Sequence, residues 1–301
     1  MKKFFNNICD QFVFWNLKKI NYGYLNLIDA RGREYFFGDN KSSLKARIKI
    51  NEPSFCFNIL RKGSSGLGES YMNGDFETEN LTSLIELSAR NINITYKFSG
   101  FFQFLLIKNF FKKNLLNNTR ERSKKNISSH YDLGNEFFSI WLDKTLTYSC
   151  GIFNSSTETL ERAQINKYNK LINMVKPKNG EKILEIGGGW GGFAEHVAKN
   201  YDIKLDCITI SKKQYLFTKE RIRKAGLNHK VNVKMLDYRD VKSKYDIIIS
   251  IEMIEAVGEK YLDKYFYTIK NNLNPGGRGA IQAIIIKDEL YDRYRNKEDF
   301  I

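Results

Sequence analysis

Residues 182–192 read KILEIGGGWGG, and the helical pattern FAEHVAKN follows at once. Five glycines fall within six positions, between an apolar strand-like run and the start of a helix. Glycine inside regular structure costs roughly 0.5–1 kcal/mol of backbone entropy per residue. So dense a run is kept for a backbone reason: close strand–helix packing, or close approach of a ligand to the N–H groups at a helix N-terminus. Gly187, Gly189 and Gly192 fit G-x-G-x-x-G, which on its own suits many nucleotide ligands. Glu185, two residues ahead of the first glycine, narrows the choice. A carboxylate there repels a pyrophosphate and attracts a cationic group.

The rest of the chain agrees with this turn. Strand-like runs at 182–187, 204–210, 231–236, 245–251 and 278–286 alternate with helical patterns at 192–200, 212–226 and 258–273. Such alternation predicts a parallel sheet covered on both faces. An earlier helix carries Leu160, Ala163, Tyr168, Leu171, Ile172 and Val175 at helical spacing, behind a Ser155–Glu158 capping box. The first part of the chain looks mixed α+β. EYFFG and ARIKI read as short strands, residues 63–77 as a glycine-rich loop, and 80–90 as a helix capped by Asn80. The apolar stretch 98–116, edged by Lys108, Lys112 and Lys113, suits a helix in a membrane interface, a cover for the domain core, or a homodimer seam. A polar, basic linker at 117–126 separates the expected domains, 1–126 and 127–301.

Charge and cysteine usage bound the function. The net charge is +15, and residues 1–127 hold 21 Lys and Arg against 11 Asp and Glu. That part of the chain would attract a polyanion or an anionic membrane surface. The four cysteines are scattered with no C-x-x-C, and the three histidines are far apart, so neither a disulfide framework nor a metal site is expected. The N-terminus lacks the unbroken apolar core of a signal peptide, and no stretch reaches the ~20 apolar residues of a membrane span. The expected location is the cytoplasm, peripherally associated with the inner face of the membrane.

Several longer stretches specify more than the turn does. They are SSHYDLGNEFFSIWLDKTLTYSCGIF (128–153), LEIGGGWGG, ITISKKQ, DYRD, SIEMIEAVG and, in the first part, GLGESYMNGDFE. Together they resemble the cyclopropane-fatty-acyl-phospholipid synthase family, which includes the mycolic-acid cyclopropane synthases. E-x-G-x-G-x-G likewise resembles the first motif of class I S-adenosylmethionine-dependent methyltransferases. The resemblance implies a Rossmann-like methyltransferase sheet behind an N-terminal mixed domain. It also implies transfer of the S-adenosylmethionine methyl to a cis double bond of an unsaturated phospholipid acyl chain, with ring closure to a cyclopropane. Mapped onto this sequence, the cofactor contacts are Tyr148, Ser149, Gly187, Gly189, Thr209, Ile210, Gln214 and Tyr238, with Glu185 toward the amino group and Asp237 toward the adenine amine. The second strand ends without the usual ribose-binding carboxylate. Asp206 lies inside that strand, and Gln214 is the nearest substitute.

In the resembled family the base is a bound bicarbonate. Two of its holders match Cys150 and Glu255, a third position carries Gln282 instead of His, and a tyrosine would fall beyond Ile301. Cys150 has a simpler reading as a small buried residue or one acting through its backbone, Glu255 as a helix cap, and His130 as a structural hydrogen-bonding residue. Gln282 carries no positive charge, which leaves a methyl-branched or methylene-bearing product beside the cyclopropane. Ala256 stands where many relatives have His. The family fold has seven strands and five are counted here, so the sequence reads as a truncated product. Two other classes compete. An RNA methyltransferase would account for the basic charge, but it leaves 128–153 unexplained and no RNA-binding signature is present, so no nucleic-acid partner is expected. A non-catalytic lipid-binding relative would account for Gln282.

Overall fold

A computed structural model describes residues 2–94 and 134–295. The expected helix at 98–116, the linker, His130 and the start of the 128–153 motif lie outside the described residues. The described residues fall into two compact units.

The first unit holds α1 (Lys2–Leu17), β1 (Tyr24–Ile28), β2 (Glu34–Gly38), β3 (Lys45–Ile50), α2 (Phe55–Lys62), α3 (Ser64–Met72), β4 (Phe76–Glu77) and α4 (Leu81–Arg90). Its four strands run in the order β2-β1-β3-β4, with β1 parallel to β3 and the other pairings antiparallel. Alternation in KARIKI buries Ala46, Ile48 and Ile50 on one face, against Phe55, Leu60, Leu84 and Leu87 of the helices. Asn80 caps α4 as expected, accepting the Ser83 N–H at 2.9 Å. The glycine-rich loop expected at 63–77 is instead mostly helix, α3. One of its two glycines serves packing: a Cβ on Gly66 would lie 2.3 Å from the Asn58 carbonyl oxygen, so α2 and α3 meet this closely because none is there.

The second unit contains α5 (Gly134–Trp141), α6 (Leu160–Val175), β5 (Lys182–Ile186), α7 (Gly192–Asn200), β6 (Lys204–Thr209), α8 (Lys212–Lys224), β7 (Val231–Met235), β8 (Tyr245–Ile251), α9 (Leu262–Asn272) and β9 (Leu273–Gln282). A last helix, α10 (Asp288–Arg295), groups with the first unit. The five strands are all parallel, in the order β7-β6-β5-β8-β9. Both faces are covered. Ile183, Leu205, Cys207, Ile247 and Ile249 pack with α6 and α7, while Leu184, Ile186, Ile208 and Ile248 pack with Tyr265 and Ile269 of α9. Strand order reverses between β5 and β8, and the crevice at the carboxyl ends of such a pair is where doubly wound sheets bind ligands.

Two local expectations fail in this unit. The Ser155–Glu158 box does not cap α6. Thr159 does, accepting the Arg162 N–H at 3.2 Å, while Glu158 accepts from the Asn154 N–H and Asn166 Nδ2 in the loop before it. The last strand also begins earlier than read, at Leu273, and ends at Gln282. Its register against β8 jumps from Tyr245–Leu273 to Ile247–Arg278, so the Pro275–Gly276–Gly277 turn is absorbed as an irregularity within the strand. No helix among the described residues is long and apolar enough to cross a membrane.

Candidate active site

Glu185 sits one residue before the end of β5, on the face shared with Ile183, directly beside Cys207 of β6. It is 3% exposed, and its Oε2 has no hydrogen-bond partner among the described residues. Burial pushes its carboxyl up to about 8, the Cys207 thiol offsetting this only in part by donating a hydrogen bond. A buried carboxylate with one oxygen unpaired is costly, and a cationic group brought beside it would relieve the cost.

The glycines that follow divide into two kinds. A Cβ on Gly188 would lie 2.0 Å from the Cys207 sulfur, one on Gly191 2.5 Å from Thr218, and one on Gly192 2.6 Å from the Tyr168 hydroxyl. One on Gly187 would strike the Met253 side chain at 2.8 Å. Crowding requires glycine at 188 and 192, and at 187 and 191 a positive φ of +83° and +80° adds to it. Gly189 differs: with φ +52° it faces nothing within 4 Å. Its carbonyl accepts from Thr218 Oγ1 at 3.0 Å, and it is the one glycine of the turn where a Cβ would meet open space.

The 143–150 segment lies against this turn. Arg221 of α8 donates to the carbonyls of Thr145 (2.7 Å) and Trp190 (3.1 Å), and its Nε pairs with Glu195. The Trp190 indole N–H donates to Asn135 of α5 at 2.8 Å, which ties that helix to the glycine turn. Tyr148 packs on Phe138 and Trp141, with ring centroids 5.5 and 5.2 Å apart. Ser149 is held from α6: Gln164 donates to its carbonyl at 2.7 Å, and the fully buried Lys167 to its hydroxyl at 2.5 Å. Burial lowers the Lys167 amine to about 8, with Glu252 and Cys150 opposing the drop.

On the β6 side, Thr209 donates to the Gln214 side-chain carbonyl at 2.9 Å, both residues being buried, and Ile210 follows in the connecting turn. Asp206 faces elsewhere, bound by Asn232, Lys234 and Tyr245. Asp237 caps the short 238–240 turn and takes three hydrogen bonds from Arg239, one from its backbone and two from its guanidinium. Tyr238 stands edge-on to Tyr265 at 5.4 Å.

Two of the residues read as base holders, Cys150 and Gln282, come together. Gln282 Nε2 lies 3.1 Å from the Cys150 sulfur and 3.3 Å from its carbonyl. Cys150 is exposed, not the small buried residue of the simpler reading; partial desolvation and Glu252 raise its thiol, and its N–H, carbonyl and sulfur all make contacts. Glu255 accepts the Ile284 N–H at 2.6 Å and so ties its turn to the segment after β9 rather than capping α9. Between them stands a residue the sequence reading passed over, Glu252. Its Oε1 accepts from the Cys150 N–H at 2.9 Å and from Gln282 Nε2 at 2.7 Å. The signal for it was positional: an acid immediately after a buried parallel strand, in the same crevice as Glu185.

The family described as mycolic acid cyclopropane synthetase matches residues 118–301, more than half of the chain. The chain belongs to this family. Among its curated relatives, tuberculostearic acid methyltransferase UfaA1 of Mycobacterium tuberculosis is 34% identical over 233 residues, 75% of this chain and 54% of that protein. Cyclopropane-fatty-acyl-phospholipid synthase of Escherichia coli strain K12 is 35% identical over 269 residues, 86% of this chain and 66% of that protein. The chain thus spans between about half and two thirds of the length of these relatives. The cyclopropane synthase MmaA2 from Mycobacterium tuberculosis superposes with a TM-score of 0.54 at 27% identity, over 57% of this chain and 61% of that one. Mycolic acid cyclopropane synthase CmaA1, complexed with SAH and CTAB, gives 0.54 at 26% identity, over 58% and 61%. As a cyclopropane synthetase family member, the chain carries the class I methyltransferase sheet that its motifs implied, with five strands among the described residues.

Proposed function

We propose that this chain is an S-adenosylmethionine-dependent methyltransferase acting on a cis double bond of an unsaturated phospholipid acyl chain, with a cyclopropane as product. The observation that carries the proposal is the buried Glu185 oxygen without a partner among the described residues, beside a turn in which a Cβ at Gly189 alone would meet open space. This pair suits a ligand that is cationic at one end and needs backbone contact at the other. The donor supplies an electrophilic methyl: its carbon–sulfur bond breaks with the pair left on sulfur, and the alkene π pair forms the new carbon–carbon bond.

The chain's own residues have three tasks. Glu185 balances the donor's positive charge at a site where water is excluded, so the interaction is stronger than in solvent. Tyr148 and Ser149, fixed by α5 and α6, position the donor against the alkene. Thr209, Ile210 and Gln214 bound its ribose side, and Asp237 with Tyr238 its adenine side. An apolar lip supports a lipid acceptor. Ile152 and Phe153 follow Cys150, and Ile284 and Ile285 follow Gln282; all four are exposed, Ile285 at 89%. Large exposed apolar side chains on the two segments joined by the Cys150–Gln282 contact suit an acyl chain better than a nucleic acid. The basic first part of the chain supports docking on an anionic membrane surface. Bicarbonate forms no part of the proposal, because the Cys150 N–H and Gln282 Nε2 already donate to Glu252.

The test is incubation with methyl-labelled donor and either unsaturated phospholipid vesicles or RNA at matched salt. Label in the lipid fraction supports the reading. Label in RNA, or donor binding with no label in lipid, overturns it.

A further inference from the structure

We propose that Glu252 is the base that takes the proton from the transferred methyl, its carboxylate filling the seat an external bicarbonate would need. This inference rests on the lipid-methylation reading above. Glu252 follows β8 directly and has φ +45°, a left-handed conformation disfavoured for any residue with a Cβ. Such a conformation persists where the surroundings over-determine it. Here they do. The Glu252 N–H donates to the Gln282 carbonyl at 2.9 Å, and its Oε1 accepts from Cys150 N–H and Gln282 Nε2. Met253, the next residue, packs against Gly187, which puts Glu252 beside the glycine turn.

An added anion has no seat left. The three donors that would grip one are the Cys150 N–H, Gln282 Nε2 and the Ile284 N–H. The first two are bound to Glu252 and the third to Glu255. Bicarbonate would have to displace Glu252 and would then stand among two carboxylates, while the buried Lys167 amine, which feels the Glu252 charge, already donates to Ser149. Glu252 therefore does the work from within the chain. One C–H bond of the new methyl breaks, and the proton passes to a Glu252 carboxylate oxygen. The electron pair of that bond forms the third carbon–carbon bond of the ring at the cationic carbon. The neutral acid then returns its proton to water through the exposed mouth at Cys150.

The experiment uses the full chain with Glu252→Gln and Glu252→Gly, the latter suited to the left-handed backbone and therefore expected to fold. Isotope-labelled bicarbonate is followed by NMR line broadening on the protein alone, and turnover is followed in carbon-dioxide-depleted buffer with and without added bicarbonate. Wild type is expected to give no broadening and a rate independent of bicarbonate. Glu252→Gln should lose roughly a hundredfold in ring formation, with products shifting toward methyl-branched olefin and alcohol. Glu252→Gly should bind bicarbonate and regain at least tenfold when it is added. Broadening in wild type, a bicarbonate requirement in wild type, or wild-type ring formation by Glu252→Gln would each overturn the assignment. Absence of any lipid product from wild type would overturn the lipid reading instead, and the binding arm still decides whether Glu252 fills the seat.

Discussion

Replacing Glu185 by Gln should stabilise the ligand-free chain while weakening its hold on the methyl donor. The magnitude follows from burial. The folded chain raises this carboxyl from an ordinary 4.5 to about 8, so the folded state binds a proton more tightly than the unfolded one. The sign is then fixed: stability is greatest below the unfolded value near 4.5 and falls as pH rises toward 8. At pH 7 the loss is about 3 kcal/mol, and above pH 8 it approaches roughly 5 kcal/mol, at 1.36 kcal/mol per pH unit. Glutamine keeps the shape and carries no charge, so Glu185→Gln should recover most of this. Urea unfolding at a series of pH values measures the difference directly. The curve for wild type should slope downward between pH 4.5 and 8, the variant should be nearly flat there, and the gap should widen with pH. Calorimetry should show the reverse order for the donor, with the variant binding at least tenfold more weakly. A pH-independent gap, or a variant less stable than wild type at pH 8, would refute the reasoning.

Gly188→Ala, whose Cβ would meet the Cys207 sulfur at 2.0 Å, should destabilise the chain by about 1–3 kcal/mol or more, read as a lower urea midpoint. Gly189→Ala has open space and only backbone strain to bear. It should cost about 1 kcal/mol of stability but a larger share of donor affinity, read by calorimetry. Lys167 is lowered from 10.5 to about 8 by burial, so its cost to stability is full below pH 8 and fades as pH rises toward 10.5. Lys167→Met should remove that slope in thermal melts between pH 8 and 10.5, an interval separate from that of Glu185. The Cys150 thiol, solvent-accessible yet raised by partial desolvation and by Glu252, should alkylate with iodoacetamide more slowly than a free model thiol at pH 8.

What was legible in the sequence follows from what depends on neighbours in the chain. β5, β6 and β8 are short apolar runs between turn residues, and their order as parallel strands follows from the helices between them. The stretch 63–77 misled because glycine marks both loops and close helix contacts, and only the approach of Asn58 to Gly66 separates the two. The glycine turn reads as a ligand site in the sequence, while in the structure Gly188 and Gly192 answer to crowding, Gly187 and Gly191 to crowding and a positive φ, and only at Gly189 would a Cβ meet open space. Cys150 and Gln282 were both picked out, 132 residues apart, and the structure joins them. Glu252 was not, because its role lies in contacts to those distant partners and in a positive φ that glutamate does not advertise. Asp237 was legible as an acid at a strand end, while its bidentate partner Arg239 two residues on was not weighed.

The most direct measurement is mass spectrometry of phospholipid fatty acids after reaction with a donor whose methyl is fully deuterated. The account predicts that each modified chain gains one carbon and retains two of the three deuterium atoms, in a three-membered ring at the former double bond, because the third leaves as the deuteron taken by the base. Retention of all three deuterium atoms, or lipid that gains no carbon while the donor is bound, would contradict it.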